Sequence, residues 1–276
     1  MRPQMTETFH LKASGEPDIH GRVEGHGPPV TLVHGVGANL DSWDEVAGYM
    51  RERYRIIRLD LAGHGQSGPI RGDRTVSDFA DDVRRVWDHL GLTQTHLAGF
   101  SLGGLIAQSL ALSDPYRIHK LVILSAVAGR TAEERAKVVD RLALLKQGGI
   151  AAVTAAAEER WFTPEFRKQY PERVTQRMRE LLANDPVSYA AAYTVFATGD
   201  LGDRVGHIRL PTLIATGEND VGSNVRMARM MHAAIAGSQL HILPDLRHSI
   251  LVEAPRNVAQ MLMRFFEQPE PQRPRE

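Results

Sequence analysis

The segment Gly99-Phe100-Ser101-Leu102-Gly103-Gly104 satisfies G-x-S-x-G, and it sits between a β-rich run at residues 95–100 and a helical run at 102–112. A serine held on so sharp a turn needs small residues two positions to either side. Side chains there would strike the helix and the preceding strand, and Gly99 and Gly103 remove them. The serine hydroxyl is a poor nucleophile at neutral pH, so acyl-transfer chemistry requires a base, a group that orients it, and donors for the oxyanion. His248, in Asp245-Leu246-Arg247-His248-Ser249, follows a strand-like run at 239–244 and is the best placed of 12 histidines to be that base. His20, His26, His119 and His232 fall on expected surface turns or helices and receive no role. Asp220, in Thr216-Gly217-Glu218-Asn219-Asp220, follows the run 210–217 and is expected to orient His248, with Glu218 and Asp245 as rivals.

The segment Val33-His34-Gly35-Val36-Gly37 follows the first parallel strand and is small enough to bring backbone close to a substrate oxygen. The backbone N–H groups of Val36 and Leu102 are the expected oxyanion donors. His34 reads as a structural tie for this loop, and Trp43 reads as pocket wall or core. A second glycine pattern, Gly63-His64-Gly65-Gln66-Ser67-Gly68, fits G-x-G-x-x-G after a strand. The next residues, Pro69-Ile70-Arg71-Gly72-Asp73-Arg74, do not open a helix, so a tight turn is expected rather than a dinucleotide site. No G-x-x-x-x-G-K and no H-E-x-x-H is present, which removes the NTPase and zinc-protease readings.

The elements that must position these residues alternate. Residues 30–34, 55–60, 95–100 and 120–125 read as strands, and 42–50, 76–90 and 102–112 between them as helices, the pattern of a parallel sheet with crossover helices. Residues 130–200 change texture: they are rich in Ala, Glu, Arg, Leu and Met, carry no strand-like run, and predict an insertion of three to five helices. Strands return at 210–217 and 239–244, with helices at 225–236 and 255–267. The expected division is a core of residues 1–129 and 201–267, a helical insertion at 130–200, and a frayed proline-rich tail at 268–276.

Composition narrows the partners. The 276 residues carry 33 Lys+Arg against 33 Asp+Glu, which supplies no net field for phosphate backbones or anionic lipid, so neither nucleic acid nor membrane is an expected partner. With 42% hydrophobic residues, 24% charged and a mean hydropathy of −0.28, the chain reads as globular. Zero cysteines remove disulfides, thiolate metal sites and a thiol nucleophile together, and no metal is expected. Residues 1–8 lack the apolar stretch of a signal peptide, and the purest apolar run, 121–128, is far below membrane-spanning length, so cytoplasm is the expected location. A small molecule is the expected partner, and the sequence is compatible with a monomer or a homo-oligomer.

With Ser101, Asp220, His248 and the 34–37 loop in this order, the chain resembles the α/β-hydrolase superfamily over nearly its whole length. Asp60-Leu61-Ala62-Gly63-His64-Gly65-Gln66-Ser67 and Glu253-Ala254-Pro255 are similar to that family as well. The resemblance implies an α/β fold with an eight-stranded, mostly parallel sheet flanked by helices, a helical cap at 130–200 over the active site, and no cofactor. Within the superfamily, Glu159-Arg160-Trp161-Phe162-Thr163-Pro164-Glu165-Phe166 and Asp185-Pro186-Val187-Ser188-Tyr189-Ala190-Ala191 look like the 3-oxoadipate enol-lactonase group, which acts on small acidic lactones from aromatic breakdown. The chain departs from that group at His34-Gly35-Val36-Gly37-Ala38, where a Ser-Asn-Ser-Leu-Gly-like loop is expected. A His-Gly loop with a nearby Trp is also found in carboxylesterases and in hydrolases that cleave carbon–carbon bonds of meta-cleavage products. The resemblance therefore implies a serine hydrolase for a small ester or enol-lactone, with a carbon–carbon bond hydrolase or a hydrolase-fold ligand receptor as alternatives. Trp43, Arg160 and Trp161 are the substrate-contact candidates, Arg160 because its planar fork suits a carboxylate.

Overall fold

The computed structural model describes residues 6–12 and 14–269; the expected frayed tail falls mostly on residues 270–276, outside the described residues, as do residues 1–5 of the expected leaderless start. Eight strands form one sheet: β1 (Thr6–Leu11), β2 (Ile19–Gly25), β3 (Pro29–Val33), β4 (Arg55–Leu59), β5 (Thr95–Phe100), β6 (Ile118–Leu124), β7 (Thr212–Gly217) and β8 (Gln239–Leu243). Their order is β1-β2-β4-β3-β5-β6-β7-β8, antiparallel at the β1–β2 and β2–β4 pairs and parallel from β4 to β8.

The helices, in chain order, are α1 (Asp44–Met50), α2 (Val76–His89), α3 (Leu102–Ser113), α4 (Ala132–Gly148), α5 (Ala151–Trp161), α6 (Pro164–Gln169), α7 (Pro171–Leu182), α8 (Pro186–Thr198), α9 (Val225–Ala234), α10 (Ile250–Glu253) and α11 (Pro255–Glu267). Strand alternation assigns each face a core. Val30 and Leu32 of β3, Val122 and Leu124 of β6, and Leu213 and Ala215 of β7 pack on α1 and α11. Val33, Leu121, Ile123 and Ile214 point to the other face, where α2, α3 and α9 pack.

Local signals explain where helices begin. Thr75 and Asp78 form a reciprocal capping box at the start of α2, as Thr131 and Glu134 do for α4. Pro164, Pro171, Pro186 and Pro255 each occupy a first-turn position, where the missing N–H costs no helical hydrogen bond. The five helices α4–α8 lie between β6 and β7, and their buried residues, Val153, Phe166 and Leu181 among them, join the core on the α3 face. Asp200 clasps the two ends of this excursion: its carboxylate accepts from the amides of Gly129 and Arg130 at 2.6 and 2.8 Å.

His20 and His119, expected on surface turns or helices, lie instead on β2 and β6. The N-terminal hairpin β1–β2 carries no apolar run, because β1 is a half-exposed edge and β2 alternates His20, Arg22 and Glu24 with apolar residues. Since β2 lies between β1 and β4, His20 is buried rather than a surface histidine, with Nδ1 2.8 Å from Asp60 Oδ2. His26 and His232 are exposed as expected. The 63–68 glycine segment is a turn: the Gly63 amide donates to Gly68 O at 2.8 Å, Ser67 Oγ donates to Asp60 O at 2.6 Å, and α2 starts only at Val76.

Candidate active site

Ser101 sits between β5 and α3 with φ of 56° and ψ of −115°, a conformation that costs a non-glycine residue about 1–3 kcal/mol. The surroundings hold it there. The Ser101 amide donates to Leu124 O at 2.9 Å, extending the β5–β6 ladder into the turn. A Cβ on Gly99 would lie 2.0 Å from Gly103 O, and one on Gly103 would lie 2.3 Å from Val33 O, so strand, turn and helix meet at distances only glycine permits. Leu102 is the first residue of α3, and its amide is one of the helix's unpaired N-terminal donors.

The carboxyl ends of β7 and β8 bring the other two residues. His248 Nδ1 lies 2.7 Å from Asp220 Oδ2, while Asp220 Oδ1 accepts from the Gly222 and Ser223 amides at 2.8 and 2.9 Å. Burial alone would raise the Asp220 carboxyl; the His248 charge and hydrogen bond, together with the two amides, outweigh it and hold the group below the usual carboxylate range. Asp220 is therefore a carboxylate at neutral pH, its bond fixes the Nδ1 side of the ring, and Nε2 is left for proton exchange. The rivals face elsewhere: Glu218 and Asp245 are both exposed, and Glu218 accepts from the Asp245 amide.

The His248 loop is fastened to the inserted helices. The Ser249 amide donates to Trp161 O at 2.9 Å, Arg247 Nη1 donates to Phe162 O at 3.3 Å, and Thr163 Oγ1 donates to Glu253 Oε2 at 2.6 Å. Gly217 allows the β7 and β8 loops to touch, since a Cβ there would lie 2.2 Å from Arg247 O. Phe100 flanks the imidazole, with ring centroids 5.1 Å apart.

Opposite Ser101, the 34–37 loop is held by His34. The Leu61 amide donates to His34 Nε2 at 2.9 Å, so Nδ1 carries the proton and donates to Gly35 O at 2.8 Å. Burial lowers the His34 pKa, which preserves this neutral tautomer. Gly35 lets the loop close on the nucleophile, because a Cβ there would be 2.9 Å from Ser101 Cβ. Among the described residues, neither the Val36 nor the Leu102 amide donates to another protein group.

Ser101, Asp220, His248 and Val36 line one cavity, together with Arg160 and Trp161. Trp43 is not part of it. That side chain is fully buried in the core beneath the sheet, packed with α1, because it ends a short helical turn, Leu40–Trp43, that turns its ring inward. Sequence reasoning missed Arg141, Arg177, Tyr189 and Tyr193, which also line the cavity. The i, i+4 spacing of the two tyrosines on α8 was a usable signal, whereas the two arginines sit in helices that carry other basic residues. Among the described residues, no group of three His, Asp or Glu is placed to hold a metal ion.

A strained serine, a carboxylate-oriented imidazole and unpaired amides around one cavity are the parts needed for acyl transfer. The family model for the alpha/beta hydrolase fold matches residues 28–255. A (E)-2-((N-methylformamido)methylene)succinate hydrolase of Acinetobacter baylyi is 32% identical over 261 residues, 93% of this chain and 97% of that protein. The 3-oxoadipate enol-lactonase 2 of the same species is 29% identical, over 83% of this chain and 85% of its own. The solved structure of a hydrolase from Pseudomonas aeruginosa PA01 superposes with a TM-score of 0.88 at 26% identity, covering 95% of this chain and 98% of that one.

Proposed function

This chain belongs to the α/β-hydrolase family, and from that premise we propose that it is a serine hydrolase that opens a small carboxylic ester or enol-lactone through an acyl-enzyme. The observation that carries the proposal is the 2.7 Å Asp220–His248 contact in a cavity that Ser101 lines from its strained turn. In the proposed sequence, His248 Nε2 takes the Ser101 proton as Oγ attacks the carbonyl carbon. The amides of Val36 and Leu102 hold the oxyanion, each worth about two to three orders of magnitude in rate. His248 then protonates the leaving alcohol or enol. Water, deprotonated by the same ring, attacks the acyl carbon, and Ser101 recovers its proton as the acid departs. Asp220 fixes the tautomer and stabilises the imidazolium throughout.

The helices of residues 130–200 act in this reading as a cap that supplies Arg160 and Trp161 to the substrate, supported by their presence in the cavity lining. The hydrolase and lactonase names of the two Acinetobacter baylyi relatives favour a small carboxylic substrate, an acidic intermediate of aromatic breakdown among them. No helix among the described residues is long and apolar enough to cross a membrane, in keeping with a small-molecule substrate met in solution, and the cytoplasm is the proposed location.

The test is a pH-indicator screen of short p-nitrophenyl esters, simple lactones and dicarboxylic enol-lactones, run on wild type beside Ser101→Ala. Turnover confined to wild type is expected. Equal turnover by both proteins would refute the serine mechanism, and loss of the visible absorbance of a ring-fission product without ester turnover would favour carbon–carbon hydrolysis.

A further inference from the structure

Several buried or half-buried guanidinium groups elsewhere in the molecule are answered by carboxylates or carbonyls. Arg58 is paired with Glu24 and Asp44, Arg74 with Asp82, and Arg84 with Asp81 and Asp114. Arg130 donates to the carbonyls of Phe196, Ala197 and Gly199, which end α8. The cavity of Ser101 concentrates such groups, because Arg141, Arg160 and Arg177 all line it and only one carboxylate does, Asp220, which is already committed to His248.

None of the three guanidiniums donates a hydrogen bond to a carboxylate among the described residues. Arg160 makes no hydrogen bond and no ion pair among the described residues. Arg141 reaches only a phenol, with Nε 3.2 Å from the Tyr193 hydroxyl. Arg177 has Nη1 buried without a hydrogen-bond partner, its nearest carboxylate oxygen, on Glu180, is 4.0 Å away, and its guanidinium lies 4.9 Å from the centre of the Trp161 ring. Burial lowers the pKa of Arg160 and of Arg177, and Arg141 adds like-charge repulsion at Arg160. Leaving such groups unpaired in a partly dehydrated cavity is costly, and an anionic ligand removes that cost.

The arrangement also specifies how many anionic groups. Arg141 Nε lies 3.2 Å from the Tyr193 hydroxyl, and the Tyr193 and Tyr189 rings lie 5.9 Å apart on α8. The cavity lining thus carries three guanidiniums against the single carboxylate of Asp220, an excess of two positive charges. A carboxylate has two oxygens and engages one guanidinium as a fork, or bridges two neighbours. Two ligand carboxylates balance the excess charge of the lining, and one does not.

We propose that Arg141, Arg160 and Arg177 form an anion cradle that selects a small ester or lactone bearing two carboxylates. The ester or lactone part of this assignment rests on the hydrolase reading of the same cavity; the dianion part rests on the arginines.

The two parts separate experimentally. Calorimetric titration of Ser101→Ala protein with glutarate, which has two carboxylates, and with butyrate, which has one, reads the cradle without turnover. At low salt, about 20 mM, where screening is weak, glutarate is expected to bind at least tenfold more tightly than butyrate. Adding Arg160→Gln or Arg177→Gln is expected to weaken glutarate at least tenfold, whereas Arg167→Gln, outside the cavity, leaves it unchanged. Should a glutamine variant fail to fold, Arg160→Lys, which keeps the charge and loses the fork, is expected to bind glutarate with intermediate affinity. Glutarate binding no tighter than butyrate, or indifferent to both cradle substitutions, overturns the proposal. Covalent labelling of wild type on Ser101 by a small fluorophosphonate, absent in Ser101→Ala, reads the hydrolase proposal alone. Glutarate selectivity without labelling of Ser101 would refute the hydrolase and keep the cradle, and labelling without selectivity would do the reverse.

Discussion

Replacing Asp220 by Asn tests the proposed orientation of His248 without removing the side chain. In the wild-type site one carboxylate oxygen accepts from the Gly222 and Ser223 amides at 2.8 and 2.9 Å, and the other faces His248 Nδ1 at 2.7 Å. Asparagine has one acceptor and one donor group. The two amides demand the acceptor, which leaves the NH₂ group facing Nδ1 and turns that nitrogen into an acceptor. The ring proton then moves to Nε2, the position that must receive the Ser101 proton. Such a tautomer reversal costs about four orders of magnitude in kcat, or about 5 kcal/mol of barrier. Because both amide hydrogen bonds survive and the volume is conserved, the Tm is expected to change by only a few degrees. The assay is steady-state hydrolysis of the best ester found in the screen, alongside a thermal melt. Activity within tenfold of wild type in a folded Asp220→Asn protein would refute the reasoning.

Gly103→Ala puts a Cβ 2.3 Å from Val33 O and 2.6 Å from His34 O, both backbone atoms of the sheet and its loop. It is expected to destabilise the protein by about 2–3 kcal/mol, a Tm loss of about 5–10 °C, and an unchanged melt would contradict the packing described. Stability is also expected to fall on acidification. Burial lowers His64 to about 3 and His96 to about 4, so the unfolded chain binds more protons than the folded one from those values up to about 6.5. Each ring contributes a slope of up to about 1.4 kcal/mol per pH unit, lost as pH drops through that window. Asp82, raised to about 6 by burial, works in the opposite direction above its ordinary 3.8 and offsets about one ring. A Tm that holds steady or rises between pH 7.5 and 5 would contradict this balance.

The parts of the site that sequence made visible share a physical basis: each is fixed by local chain geometry. Glycines at 99 and 103 are required by the turn itself, and β5 and α3 begin where the pattern says. Asp220 and His248 follow strands whose apolar runs are unmistakable, so their place at the carboxyl edge of a parallel sheet is calculable. The hidden parts depend on packing between distant segments. β2 is buried only because β1 covers its outer edge, so a strand bearing His20, Arg22 and Glu24 gave no apolar signal. Trp43 went to the core because a helical turn precedes α1. Arg141 and Arg177 read as ordinary helix arginines, and only the fold of α4 and α7 around one cavity distinguishes them from their exposed neighbours.

In the proposed mechanism Ser101 is the nucleophile, and covalent trapping reads that role at the bond it forms. Wild-type protein and Ser101→Ala are treated with a small fluorophosphonate, and intact mass and peptide mapping are recorded. One adduct per wild-type chain is expected, on Ser101, formed in step with loss of ester hydrolysis, and none in the alanine variant. An adduct on another residue, or equal labelling of both proteins, would contradict it.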